Sequence, residues 1–252
     1  MVIFHHIPKT AGTSFVSLLQ RNYSDEELFL SHADKEQPAV WWREWYRSLS
    51  DERRRQIKCV ASHTANRLIP VLLEDGAPFH ALTLLRDPID RCLSLYYFVL
   101  ELARSDNREA GGQAGRFLLE NQWSLDDLYR HAEEPGFADA NHFLNGFFDA
   151  QARALARPFG ITLGFSRQAP SPEERARIEA AIAHYDVGLL EDYNRTIDRW
   201  AAAFSWRHVD YEAKNITRSR KDAPPVSPET KALIRSYNQI DSWLHESFLH
   251  KR

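Results

Sequence analysis

Apolar positions in this chain fall into short unbroken runs that alternate with stretches of helical spacing. Residues 2–4 form such a run, the pattern of a strand buried on both faces. A polar loop follows, and then Phe15, Leu18 and Leu19 recur at helical spacing. A second strand is predicted over 57–61, ending at Ser62 and His63, and a third over 81–85, ending at Arg86. Asp87 suits an N-cap and Pro88 a first helical position, so a helix should run from there past Tyr97. The Gly- and Glu-bearing stretch 105–122 reads as a mobile connection, and helical patterns resume near Leu125 and near Phe143. Ser171, Pro172, Glu173 and Glu174 make a capping-box pattern that opens another helix. A late strand over 185–189, a helix over 193–204 and a basic, Pro-containing loop over 215–226 come next. Ser227 and Pro228 open a final helix with Leu233, Tyr237, Ile240 and Leu244 on one stripe. Strands alternating with helices, without repeats or a clean linker, predict one α/β domain spanning residues 1–252. Its central sheet should be mostly parallel and flanked by helices.

Composition narrows the function classes. The 252 residues are 43% hydrophobic and 12% aromatic, enough for a sizeable core, and the net charge of -3 lacks the basic field that nucleic acid selects. Mean hydropathy is -0.51, and no apolar run approaches the roughly 20 residues that span a bilayer. The opening residues carry no basic segment followed by a long apolar one, so no secretory signal is read there. Cys59 and Cys92 do not amount to a disulfide framework, and a reducing cytoplasm is the expected compartment. No Cys/His cluster has metal-ligand spacing, and no metal is expected.

Two segments carry candidate chemistry. The first runs His5-His6-Ile7-Pro8-Lys9-Thr10-Ala11-Gly12-Thr13-Ser14, between a predicted strand and a predicted helix. A helix N-terminus offers unpaired N–H groups and the positive end of its dipole to an anion. Lys9 adds a charge, Thr10, Thr13 and Ser14 add hydroxyls, and Gly12 would let the backbone approach the ligand. On spacing alone, a plain strand–turn–helix with an exposed lysine stands level with this P-loop-like reading. The loop is not a Walker A sequence, because its lysine precedes the glycine. The second segment runs from Leu84 to Phe98 and includes Arg86-Asp87-Pro88, Arg91 and Ser94. Arg86 ends a predicted strand, where open α/β sheets place their ligands, and its planar fork suits a phosphate. Ser94 lies on the following helix. The plain alternative is an Arg86–Asp90 ion pair with Ser94 exposed.

Together the two segments resemble the sulfotransferases that use 3′-phosphoadenosine 5′-phosphosulfate (PAPS), above all the Golgi heparan sulfate 2-O- and 6-O-sulfotransferases and their bacterial relatives. The resemblance implies that Lys9, Thr10, Gly12, Thr13 and Ser14 bind the 5′-phosphosulfate, and that Arg86 and Ser94 bind the 3′-phosphate. It also implies a basic lid from Lys214, Arg218, Arg220 and Lys221. A histidine ends the strand between the two loops in that family. His63 holds that place here, after Ser62 where glycine is frequent, and is the expected general base, with Lys9 as the other catalytic residue. His5 and His6 compete for the role of base. His6 stands where some relatives carry an arginine toward an acidic sugar, and Arg153 belongs to a Gln-x-Arg element near the acceptor in relatives. The implied reaction moves a sulfuryl group from PAPS to a hydroxyl of a glycan, lipid or small molecule, with carbohydrate among the candidates. Trp41, Trp42 and Trp45 read first as packing residues and second as a stacking surface for that acceptor. The rival classes are a P-loop kinase-like phosphotransferase, which would need Mg²⁺, and a nucleotide-binding module without turnover.

Overall fold

A computed structural model of the chain describes residues 1–31, 38–105, 110–132, 134, 142–164, 167–210 and 225–250. In chain order come β1 (Val2–His5), α1 (Gly12–Asn22), β2 (Leu28–Leu30), α2 (Ala39–Ser48), α3 (Asp51–Gln56), β3 (Cys59–Ser62), α4 (Ile69–Glu74) and β4 (His80–Leu85). After them come α5 (Pro88–Arg104), α6 (Ala110–Glu120), α7 (Leu125–His131), α8 (Ala150–Ala156), α9 (Pro172–Ile182), β5 (Tyr185–Leu189), α10 (Tyr193–Phe204), α11 (Pro228–Ser236) and α12 (Gln239–Leu249). The contacts group into two compact units. One comprises Met1–Arg86, Arg153–Thr162 and Pro172–Asn215, and the other Asp87–Ala152, Leu163–Ser171 and Ile216–Arg252.

The first unit holds the sheet, in the order β2-β3-β1-β4-β5, with every pairing parallel. The strands are apolar on both faces because both are covered. Phe4, Cys59, Ala61, Leu82 and Leu84 pack with Phe15, Leu18 and Leu19 of α1 and Ile197 and Trp200 of α10. Residues of the opposite parity face the other way, and a short 3-10 turn at Ala65–Leu68 lies against β1 and β3. Register aligns His5 with both Ser62 and Thr83, so β1, β3 and β4 end at one edge. From β1 the chain moves toward β2, and from β4 toward β5. The order therefore reverses between β1 and β4, the place where such sheets take ligands.

In the second unit α5 opens as expected, with the Asp87 carboxylate accepting from the Asp90 N–H at 2.9 Å and Pro88 in the first turn. Its buried face, including Cys92, Leu95 and Val99, packs with Leu118, Leu128, Tyr129, Phe147 and Ile234.

Two expectations are corrected here. Most of the stretch read as a mobile connection is α6, which buries Ala114 and Leu118. Gly115 is a packing glycine: a Cβ there would lie 1.9 Å from the Val99 carbonyl oxygen. The final helix is two helices, α11 and α12. Between them the buried Asn238 Nδ2 donates to the carbonyls of Ile234 and Phe147, each at 2.9 Å, and its Oδ1 accepts from the Asp149 N–H. Near Phe143 the chain forms a 3-10 helix, His142–Phe147, ahead of α8. Among the described residues no helix is long and apolar enough to cross a membrane.

Candidate functional site

The loop after β1 is held by its own backbone. The His6 N–H donates to the Ser62 carbonyl at 3.0 Å, and the Thr83 hydroxyl donates to the His5 carbonyl at 3.1 Å. Lys9 and Ala11 both take left-handed conformations, with φ of 71° and 67°. Non-glycine residues pay strain in that region. Left-handed residues ahead of a helix are also the backbone device that gathers successive N–H groups around an anion. Gly12 then starts α1.

The side chains divide by exposure. Thr13 is exposed and Lys9 half-buried, whereas Ser14 is buried. Thr10 is fully buried and its hydroxyl donates to the Ile7 carbonyl at 2.9 Å, so that group shapes the loop. Gly12 also has a role the sequence did not suggest. A Cβ on it would lie 1.7 Å from His6 Cδ2, so the glycine makes room for the imidazole of His6.

His63 directly follows β3 and is half-buried. Its Nδ1 lies 2.6 Å from the His6 carbonyl oxygen. A carbonyl only accepts, so Nδ1 carries the proton and Nε2 is the basic nitrogen of the neutral ring. The His6 and His63 rings stack at 4.1 Å between centroids and 27° between planes. Flanking residues fix the segment. The Ser62 hydroxyl accepts from the Thr64 N–H at 3.1 Å, and the Thr64 hydroxyl accepts from the buried Trp42 indole, also at 3.1 Å. Trp42 is thus a support of the site, while Trp41, Trp45 and Phe29 stack on one another. Thr64, and the tie from Trp42 to it, went unnoticed in the sequence because no spacing rule links residues 22 apart on different elements.

The other two histidines are held neutral. Burial, and then the neighbouring His63, push His5 down to about 3. Its Nδ1 is buried without a hydrogen-bond partner among the described residues. Burial and then His63 likewise hold His6 well below the ordinary imidazole value.

Arg86, one residue past β4, is half-buried, and its Nη1 donates to the Lys9 carbonyl at 3.2 Å. Two segments 77 residues apart in sequence therefore meet at the β1/β4 reversal. Arg153 is half-buried on α8, and its neighbour Ala154 accepts from Asn66 Nδ2 at 2.7 Å, three residues beyond His63. Gln151 of the same element is fixed by Asp241, which accepts its N–H at 3.1 Å and so gives it a structural place. In the second unit Ser94 is buried on α5, not exposed, and Arg91 is buried with Nη2 donating to the Gly146 carbonyl at 2.5 Å. Lys214, Arg218, Arg220 and Lys221 lie outside the described residues. Among the described residues no group of three metal-ligating side chains comes together.

The fold is that of an all-parallel α/β protein whose sheet gathers a lysine loop, a histidine and an arginine at its strand-order reversal. The sequence matches the Sulfotransferase family over residues 1–239, and the chain belongs to that family. It is similar in structure to a crystal structure of a sulfotransferase from Alicyclobacillus acidocaldarius. The two are 14% identical, the match covers 98% of this chain and 95% of that one, and the TM-score is 0.48. No curated protein matches the sequence.

Proposed function

We propose that this protein transfers the sulfuryl group of PAPS to a hydroxyl of an acceptor of the glycan, lipid or small-molecule class. The observation that carries the reading is convergence on the backbone of residues 5–9. His63 binds the His6 carbonyl, Arg86 the Lys9 carbonyl, and the loop itself leads into the N-terminus of α1. The donor set suits a nucleotide with phosphates at both ends: Lys9, Thr13, Ser14 and loop N–H groups for the 5′ end, Arg86 for the 3′-phosphate. Bound PAPS supplies the sulfuryl group, whose bond to the 5′-phosphate breaks as the acceptor oxygen bonds to sulfur.

His63 Nε2 takes the acceptor's proton, because its Nδ1–H is committed to the His6 carbonyl. Lys9 and the loop N–H groups stabilise the negative charge that grows on the 5′-phosphate side. Thr10 acts through the loop it shapes. Arg153 is a cation for an anionic or hydroxyl-rich group of the acceptor.

The test is ligand-induced stabilisation, with the free nucleotides in EDTA and ATP in a separate arm with Mg²⁺ and no chelator. Adenosine 3′,5′-bisphosphate at about 100 times its dissociation constant should stabilise the protein by roughly 2.7 kcal/mol. AMP should do much less, and ATP with Mg²⁺ should not surpass it. Preference for ATP with Mg²⁺ would return the protein to the phosphotransferase class.

A further inference from the structure

A line of flat rings leads from the core to the proposed base. Phe4 of β1 is fully buried, and its ring stacks with that of His6 at 6.1 Å and 19°. His6 in turn stacks with His63 at 4.1 Å and 27°. The remaining side of His6 is closed by Gly12, whose missing Cβ would stand 1.7 Å from Cδ2 and 2.2 Å from Nε2. The imidazole of His6 thus packs against both the first residue of α1 and the ring of His63. The same residue supplies the carbonyl that accepts the His63 Nδ1–H at 2.6 Å.

We propose that His6 and Gly12 are positioning residues for His63: the His6 carbonyl sets the tautomer of the base, the His6 ring sets its plane, and Gly12 provides the space that the His6 ring needs. The inference rests on the reading of His63 as the base. It assigns His6 a function other than proton transfer. His6 stays neutral near pH 7, since burial and the adjacent His63 both disfavour its charged form. A neutral flat ring can buttress His63 without competing for the acceptor's proton. The arrangement also ties the base to the phosphosulfate loop. Gly12 opens the helix whose N-terminus faces the anion, so a shift of that turn would move the His6 ring and, through it, His63. In active sites a misplacement of about 1 Å can cost roughly 100-fold in rate.

A double-mutant cycle tests the chain of contacts, read by NMR of isotope-labelled histidines and by release of adenosine 3′,5′-bisphosphate from PAPS to water. In the wild type His63 should show the Nδ1–H tautomer. Gly12→Ala should lose that signature and lower turnover by roughly 100-fold. It should still bind adenosine 3′,5′-bisphosphate, which also checks folding. In a His6→Ala background, where the ring is gone but the carbonyl remains, Gly12→Ala should cost less than about threefold, a coupling expected for residues in direct contact. His6→Phe should keep the stack, the turnover and the acidic limb of the pH profile. A Gly12→Ala penalty that persists without the His6 ring would overturn the inference, because the glycine would then act on the anion directly. Loss of the acidic limb in His6→Phe would also overturn it, making His6 the base. Normal turnover in His63→Ala would instead defeat the reading of His63 as the base, and the tautomer measurements would still report on the contacts.

Discussion

Replacing Arg86 by alanine separates its two contacts. One is internal: Nη1 donates to the Lys9 carbonyl at 3.2 Å and braces the loop. The other is the proposed contact with the 3′-phosphate. A hydrogen bond to a charged group is worth about 1.5–3 kcal/mol. With about 1.4 kcal/mol for each factor of ten, the phosphate contact corresponds to a loss of roughly 10- to 150-fold in affinity. Loosening the loop should weaken every nucleotide that uses its N–H groups, whether or not a 3′-phosphate is present. Isothermal titration of adenosine 3′,5′-bisphosphate and of AMP, on wild type and variant, therefore isolates the second contact as a ratio. The preference for the bisphosphate should collapse by that factor in Arg86→Ala. It should recover only in part in Arg86→Lys, which keeps the charge but loses the planar fork. An undiminished preference in Arg86→Ala would refute the assignment and leave Arg86 as a brace alone.

Lys9→Ala should lower turnover more than PAPS affinity, because the charge it stabilises grows toward the transition state; poor binding with normal turnover in paired calorimetry and kinetics would contradict this. His5, pushed down to about 3 from an ordinary 6.5, is neutral when folded but protonates when unfolded, so stability should fall as pH drops from about 6.5 toward 3. The slope it adds is about 1.4 kcal/mol per pH unit within that window. Urea titrations should show a shallower acid loss in His5→Phe, and an unchanged slope would mean that His5 titrates normally in the fold.

Much of this architecture is written in local signals. Residues 2–4 announce β1 because a strand covered on both faces must be apolar throughout, and Asp87-Pro88 announces α5 because cap and first-turn chemistry are specific. The late strand and the helix after it, Tyr185–Leu189 and Tyr193–Phe204, stand where their periodicity placed them. What escaped is held by contacts between distant residues. The edge strand β2 is three residues long, and its neighbour α2 is anchored by the Trp42–Thr64 hydrogen bond. The glycines of α6 signalled flexibility, yet one of them, Gly115, serves close approach to the Val99 carbonyl. The break at Asn238 is held by the Phe147 carbonyl and the Asp149 N–H as well as by the Ile234 carbonyl of its own helix, which a continuous apolar stripe could not reveal. At the candidate site, the sequence picked out the loop residues but not the contacts they make inside the fold. Thr10 and Gly12 looked like ligand contacts, and the structure gives one a loop-shaping bond and the other a place against His6.

The most direct test of the central claim follows the sulfuryl group itself. The protein would be incubated in EDTA with PAPS radiolabelled in its sulfate and with a panel of glycan, lipid and small hydroxyl acceptors. The account predicts label in an acceptor with wild type, and transfer reduced by about 10²–10⁴ in His63→Ala with adenosine 3′,5′-bisphosphate binding nearly intact. Transfer by His63→Ala at the wild-type rate would contradict the mechanism. Transfer of phosphate from ATP with Mg²⁺, and of no label from PAPS, would contradict the function.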